Sequence, residues 1–158
     1  MPLLTRESAN PPTTSDVPNI WVFDGSWRDI YVLNTDVESW KQFLIFVATL
    51  PHTFEIDRNG AAMPDLTELL GSQDHAYLLS IKVGDVALNC HFFDEEQIEL
   101  DVDPREVRGP AEHDGVFAFM AVMAEVVKKS VILTPESEIE NPLVSYEPSV
   151  GKWRWRTD

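Results

Sequence analysis

The chain has one cysteine, few basic residues and no long apolar run, and each shortage excludes something. Cys90 alone cannot form an internal disulfide, so the fold must hold without one. Met1 to Asn10 lacks the apolar stretch that a secretory signal needs, and a reducing, cytoplasmic setting is expected. The most apolar segment, Val116 to Val127, is interrupted by Glu125 and falls far short of the roughly 20 residues that span a bilayer. No membrane span is expected. Lys and Arg number 12 against 27 Asp and Glu, a formal charge of −15 that repels nucleic acid and anionic membranes and attracts basic partners. The four histidines, His52, His75, His91 and His113, are scattered without the close spacing of zinc motifs, and no cofactor signature is present. No metal and no cofactor are expected.

What is present is a core. Hydrophobic residues make up 44% of the chain, with five Trp and eight Phe, enough apolar area to offset chain entropy despite the charge. A length of 158 residues suits one domain. Residues 1 to 19 contain Pro2, Pro11, Pro12 and Pro18 with little to bury, so they are expected to form a flexible arm, with a single domain over 20 to 158.

Ile20 to Phe23 and Ile30 to Leu33 are β-prone runs separated by Asp24, Gly25 and Ser26, a pattern that predicts a first hairpin. Thr35 and Glu38 have capping-box spacing, and Val37, Trp40, Phe43, Leu44 and Val47 then recur at helical period until Pro51. His52 to Asp57 reads as a strand closed by Asn59 and Gly60, and Pro64 to Leu70 as a short helix stopped by Gly71.

The segment from Ala76 to Asp103 reads as a meander. A two-residue loop at Gly84 and Asp85 sets Val83 against Val86, Ile81 against Leu88, Leu79 against Cys90 and Tyr77 against Phe92. A three-residue loop of Asp94, Glu95 and Glu96 then sets Phe92 against Ile98, Cys90 against Leu100 and Leu88 against Val102. Gly109 and Pro110 open a long helix through 111 to 129, apolar nearly all round, with Lys128 and Lys129 complementing its C-terminal dipole. Val131 to Leu133 and Leu143 to Tyr146 are short strands around a Pro- and Glu-rich loop. Lys152, Arg154 and Arg156 alternate with Trp153 and Trp155 as an edge strand with inward indoles. The same basic aromatic pattern can stack on nucleobases, but strand burial and the overall charge argue against nucleic acid.

The fold expected is therefore α+β: a mostly antiparallel sheet around the 76 to 103 meander, with helices near 36 to 50 and 111 to 129 packed on one face. The register that makes one face apolar puts Asn89, His91, Glu99 and Asp101 on the other. Glu99 opposite His91 favours the imidazolium, which makes His91 with Glu99 or Asp101 the best constellation for acid–base catalysis. Cys90 faces the core and reads as structural rather than nucleophilic. Seven acids and one base, Arg105, lie between Asp94 and Glu106. Their spacing is not that of a calcium loop, but Asp94, Glu95, Glu96, Glu99, Asp101 and Asp103 form a candidate surface for a basic protein partner.

The general type, a small acidic domain with no cofactor signature, resembles bacterial immunity or inhibitor proteins that neutralise a basic toxin. That resemblance implies a non-enzymatic protein-binding role and rests on no particular motif. The alternative expectation is a hydrolase-like enzyme acting through His91.

Overall fold

A computed structural model describes residues 4–56, 65–71 and 77–157. In chain order the elements are β1 (Arg6–Ser8), β2 (Arg28–Leu33), α1 (Val37–Val47), β3 (His52–Ile56), α2 (Leu66–Gly71), β4 (Tyr77–Val83), β5 (Val86–Asp94), β6 (Gln97–Val102), α3 (Pro110–Val127), β7 (Val131–Pro135), β8 (Val144–Glu147) and β9 (Lys152–Trp155). The strands form one antiparallel sheet in the order β1-β9-β8-β7-β2-β6-β5-β4-β3. The α+β architecture and the central meander are as the residues imply. Among the described residues, no helix is long and apolar enough to cross a membrane.

The meander's register follows from keeping one face apolar. Ile81 pairs with Leu88 and Leu79 with Cys90; Cys90 then pairs with Leu100 and Leu88 with Val102. Gly84 has φ 60°, the left-handed value that the first position of a tight hairpin turn takes most easily when it is glycine. At the second turn the expectation fails. Asp94 pairs with Gln97, leaving Glu95 and Glu96 as a two-residue turn, and the register slips through a bulge between His91 and Asp94. An extra residue on β5 restores the parity that a three-residue loop would otherwise supply.

Trp40, Phe43 and Val47 of α1, Leu69 of α2 and Val116, Phe117, Met120 and Met123 of α3 pack on the apolar sheet face in one cluster with Ile30, Val32, Leu88, Leu100 and Leu133. A Cβ on Gly115 of α3 would lie 3.4 Å from the Val83 side chain, so the helix approaches β4 closely.

Three further expectations are corrected. Ile20 to Phe23 is not a hairpin strand: the buried Arg28 guanidinium takes its carbonyls, with Nε donating to Ile20 O at 2.8 Å and Nη2 to Val22 O at 2.7 Å. Strand β2 is consequently free to sit in the middle of the sheet, between β6 and β7. The segment expected as a loose arm is tied down. Its strand β1 pairs with β9, making β9 an interior strand rather than an edge, and Val17 is buried. Trp21 Nε1 donates to His113 Nδ1 at 3.0 Å, which leaves the ring proton on Nε2 to donate to Pro12 O at 2.7 Å. Trp153 and Trp155 do point into the core, where they cannot stack on bases.

Helix α1 starts one residue later than the Thr35 box implies. Asp36 is the N-cap, accepting from Ser39 N at 2.9 Å while its own N–H donates to Ser39 Oγ at 3.3 Å. Thr35 instead donates its hydroxyl to Glu95 O at 2.7 Å, fastening α1 to the β5–β6 turn. The N-cap bonds hold the Asp36 carboxyl below its usual range, chiefly through the Ser39 backbone N–H. The Asn59–Gly60 turn, the Pro64 helix start and His75 lie outside the described residues.

Leu100 is fully buried, so Leu100→Ala should cost about 2–5 kcal/mol in denaturant unfolding. Thr35→Ala should cost roughly 1 kcal/mol through loss of the Glu95 contact, with the helix cap intact. Asp36→Ala, by contrast, should lower the helical signal as well as the unfolding midpoint.

Candidate functional site

With α1, α2 and α3 on the apolar side, the opposite face of the central strands carries no helical cover among the described residues. Alternation puts two cross-strand rows there. One runs Ser80, Asn89, Asp101, Asp29, Thr134, and its neighbour runs Leu78, His91, Glu99, Tyr31, Ile132. Asn89, His91, Glu99 and Asp101 come together as their spacing requires. Asp29 and Tyr31 join them because β2 is the neighbour of β6.

These side chains form a connected network. His91 Nε2 lies 2.6 Å from Asp101 Oδ2, and Asn89 Nδ2 donates to Asp101 Oδ1 at 3.0 Å. The imidazole therefore bonds the diagonal carboxylate rather than the directly opposite Glu99. Tyr31 donates its hydroxyl to Asp29 Oδ2 at 3.0 Å, and Ser137 N donates to the same oxygen at 2.7 Å. Ser137 has φ 60°, a strained value for a residue with a side chain, and the Asp29 bond is a partner that offsets the cost. Phe93, 68% exposed, stacks on the His91 ring at 5.0 Å with an interplanar angle of 3°.

Charge and burial oppose each other in this network. The Asp101 hydrogen bond, reinforced by the surrounding carboxylates, raises the His91 pKa above its ordinary value in spite of partial burial. Burial raises the carboxyl of Asp29, which is only 6% exposed, and the nearby Asp101 and Glu136 charges add to it. Glu99 is raised too, first by burial and then by the Asp29 charge. Burial also pushes up the Tyr31 phenol and the Cys90 thiol, so neither ionises readily, and Cys90 lies on the core side away from His91.

The other predicted site residues divide. Asp94, Glu95 and Glu96 are exposed on the β5–β6 turn. Asp103 lies past the end of β6, caps a short 3-10 turn and is held by Arg105, whose Nη2 approaches Oδ2 at 2.9 Å. Its charge is therefore largely met within the chain, and the Arg105 side chain holds the carboxyl below its usual range. Glu99 and Asp101 are half-buried and networked rather than free in water.

The Pro135 to Asn141 loop closes on the same site from the other side. Ser137 binds Asp29, and Glu136 Oε1 accepts from Trp27 N at 2.8 Å, so this loop adjoins the Arg28–Asp29 end of β2, whereas the Asp94 to Glu96 turn lies at its Leu33 end; Glu138 and Glu140 are exposed. A first hairpin of 20–23 with 30–33 hides Asp29, because it removes β2 from the centre of the sheet. The strict alternation of Asp29 and Tyr31 with Ile30 and Val32 is the signal that pairs it with an amphipathic neighbour.

Among the described residues no three His, Cys, Asp or Glu side chains are arranged to hold a metal ion. A cavity of about 280 Å³ lies between residues 16–20 and the end of the sheet, lined by Arg28, Pro135, Leu143 and Arg156, and it contains none of the His91 network. No family model, no curated protein and no solved structure matches the chain.

The raised His91 pKa has a defined sign for stability. Its contribution is complete below the unfolded value of about 6.5 and is lost as pH rises through the folded value. The raised carboxyls of Asp29 and Glu99 act in the same sense at lower pH. His91→Gln should thus lose most stability relative to the native chain near pH 5.5–6 (about one unit below the free imidazole value), and the gap should narrow above neutrality in chemical denaturation.

Proposed function

We propose that this chain is a non-enzymatic binding protein of the immunity or inhibitor type, which docks a basic protein on the open face of its sheet. The observation that carries the reading is the grouping of Asp29, Glu99 and Asp101 on one face of the adjacent strands β2 and β6. Glu136 and Ser137 adjoin the Asp29 end of that face, and the exposed Asp94 to Glu96 turn lies at its other end, beside Leu33. A chain with 27 acids and 12 bases thereby concentrates negative charge on an uncovered surface, the arrangement that steers a basic protein in and aligns it. Exposed Phe93 supplies an aromatic contact of the kind that anchors interfaces.

Catalysis through His91 is a second reading because of the 2.6 Å bond to Asp101, a geometry that orients an imidazole for proton transfer. Among the described residues α1, α2 and α3 pack on the other face and give this row no helical walls, which favours docking.

Reversal of exposed charges separates the two readings while leaving the network alone. Glu95→Lys with Glu96→Lys and Glu140→Lys should slow association with a basic protein captured from the native host by about tenfold or more and flatten its salt dependence. An unchanged association rate sinks the acidic-face reading. A loss of about 10²–10⁴ in a catalysed rate on His91→Ala would establish the enzymatic one.

A further inference from the structure

We infer that His91 is a pH switch for the acidic face, weakening the hold on a basic partner as the imidazole takes up a proton next to Asp101. The inference rests on the docking reading above and concerns its regulation. His91 borders the carboxylates of the proposed surface on its β4 side: its Nε2 is 2.6 Å from Asp101, Glu99 is its direct cross-strand neighbour, and Asp29 lies one strand further on. A proton on this ring creates a cation where the partner's own Lys or Arg must find a carboxylate. His91 in its charged form thus acts as an internal competitor for Asp101.

The groups around the ring act in the same direction. On β5 they are Asn89 and the stacked Phe93; on β4, Leu78 and Ser80, with Lys82 as the cation further along the same face; on β6, Glu99 and Asp101; on β2, Asp29 and Tyr31. Both Asp29 and Glu99 hold their protons to higher pH than free carboxyls do, so acidification removes negative charge from the face after His91 has added positive charge. Rising pH reverses both and leaves a carboxylate-rich surface. Side-chain exposures of 25% for His91 and 22% for Asp101 keep the pair reachable by a partner and by protons while screening it less than a fully exposed pair.

The test uses the full chain and a deca-arginine peptide as probe, with affinity measured by calorimetry at low, constant ionic strength and the contact face mapped by amide chemical shifts. For the native chain the dissociation constant should rise about three- to tenfold between about pH 8 and about pH 6, the size expected for one nearby unit charge. His91→Gln should abolish most of that slope, whereas His52→Gln, exposed on the edge strand β3, should keep it. Circular dichroism checks that each variant is folded. If the peptide shifts Phe93, Glu99 and their neighbours but His91→Gln retains the full pH slope, the switch is overturned and the docking face stands. If the peptide leaves that face unperturbed, the docking reading falls and the switch falls with it.

Discussion

Strand β2 is the element on which the rest of the sheet depends. Its left neighbour is β7 and its right neighbour β6, so both halves of the nine-stranded sheet are joined through six residues, Arg28–Leu33. Each residue of this strand serves a different layer. Ile30 and Val32 fill the core beneath the helices, Asp29 and Tyr31 complete the polar network on the open side, and Arg28 gathers the preceding segment around its guanidinium. A buried guanidinium is tolerable only when its donors are met, and here backbone carbonyls of residues 20, 22 and 27 accept from it. The loop geometry and the strand placement are therefore one constraint.

A second set of contacts binds the N-terminal residues to the far side of the molecule. Strand β1 extends the sheet at β9, and His113 on α3 bridges Trp21 and Pro12 with its two ring nitrogens in opposite roles. A fully buried histidine satisfied at both nitrogens is structural, which explains why an apolar helix carries it. The two histidines thus diverge: His113 holds chain segments together, whereas His91 sits beside carboxylates on the sheet face opposite α1, α2 and α3.

The polar side chains of that face form a network rather than a set of isolated charges. A solvated sheet face needs only scattered charges, but here Asn89, His91, Asp101, Asp29, Tyr31 and the Ser137 amide satisfy one another. Gathering carboxylates under partial burial costs free energy, as the raised pKa values of Asp29 and Glu99 show. Hydrogen bonds and the neighbouring imidazole offset that cost within the chain, and a cationic partner would offset more of it. The same balance makes the face responsive to protons.

Much of this is legible in the residues themselves. Period-two alternation determined the β4–β5 register, the pairing of Cys90 with Leu100 and Leu88 with Val102, the separation of Cys90 from His91 and the grouping of Asn89, His91, Glu99 and Asp101, but not the bulge between His91 and Asp94 or the two-residue turn beyond it. Helical spacing likewise determined α1 and α3, whose apolar stripes can be counted locally. Tertiary structure alone decided the position of β2 between β6 and β7, the capture of residues 4–27, the transfer of the helix cap from Thr35 to Asp36 and the entry of Asp29 and Ser137 into the site. Each of these depends on partners distant in the chain, as where the Thr35 hydroxyl finds the Glu95 carbonyl and the Ser137 N–H finds the Asp29 carboxylate across 60 and 108 positions of sequence. Local periodicity carries no record of such pairings, since it reports which face of an element is apolar and not which element lies beside it.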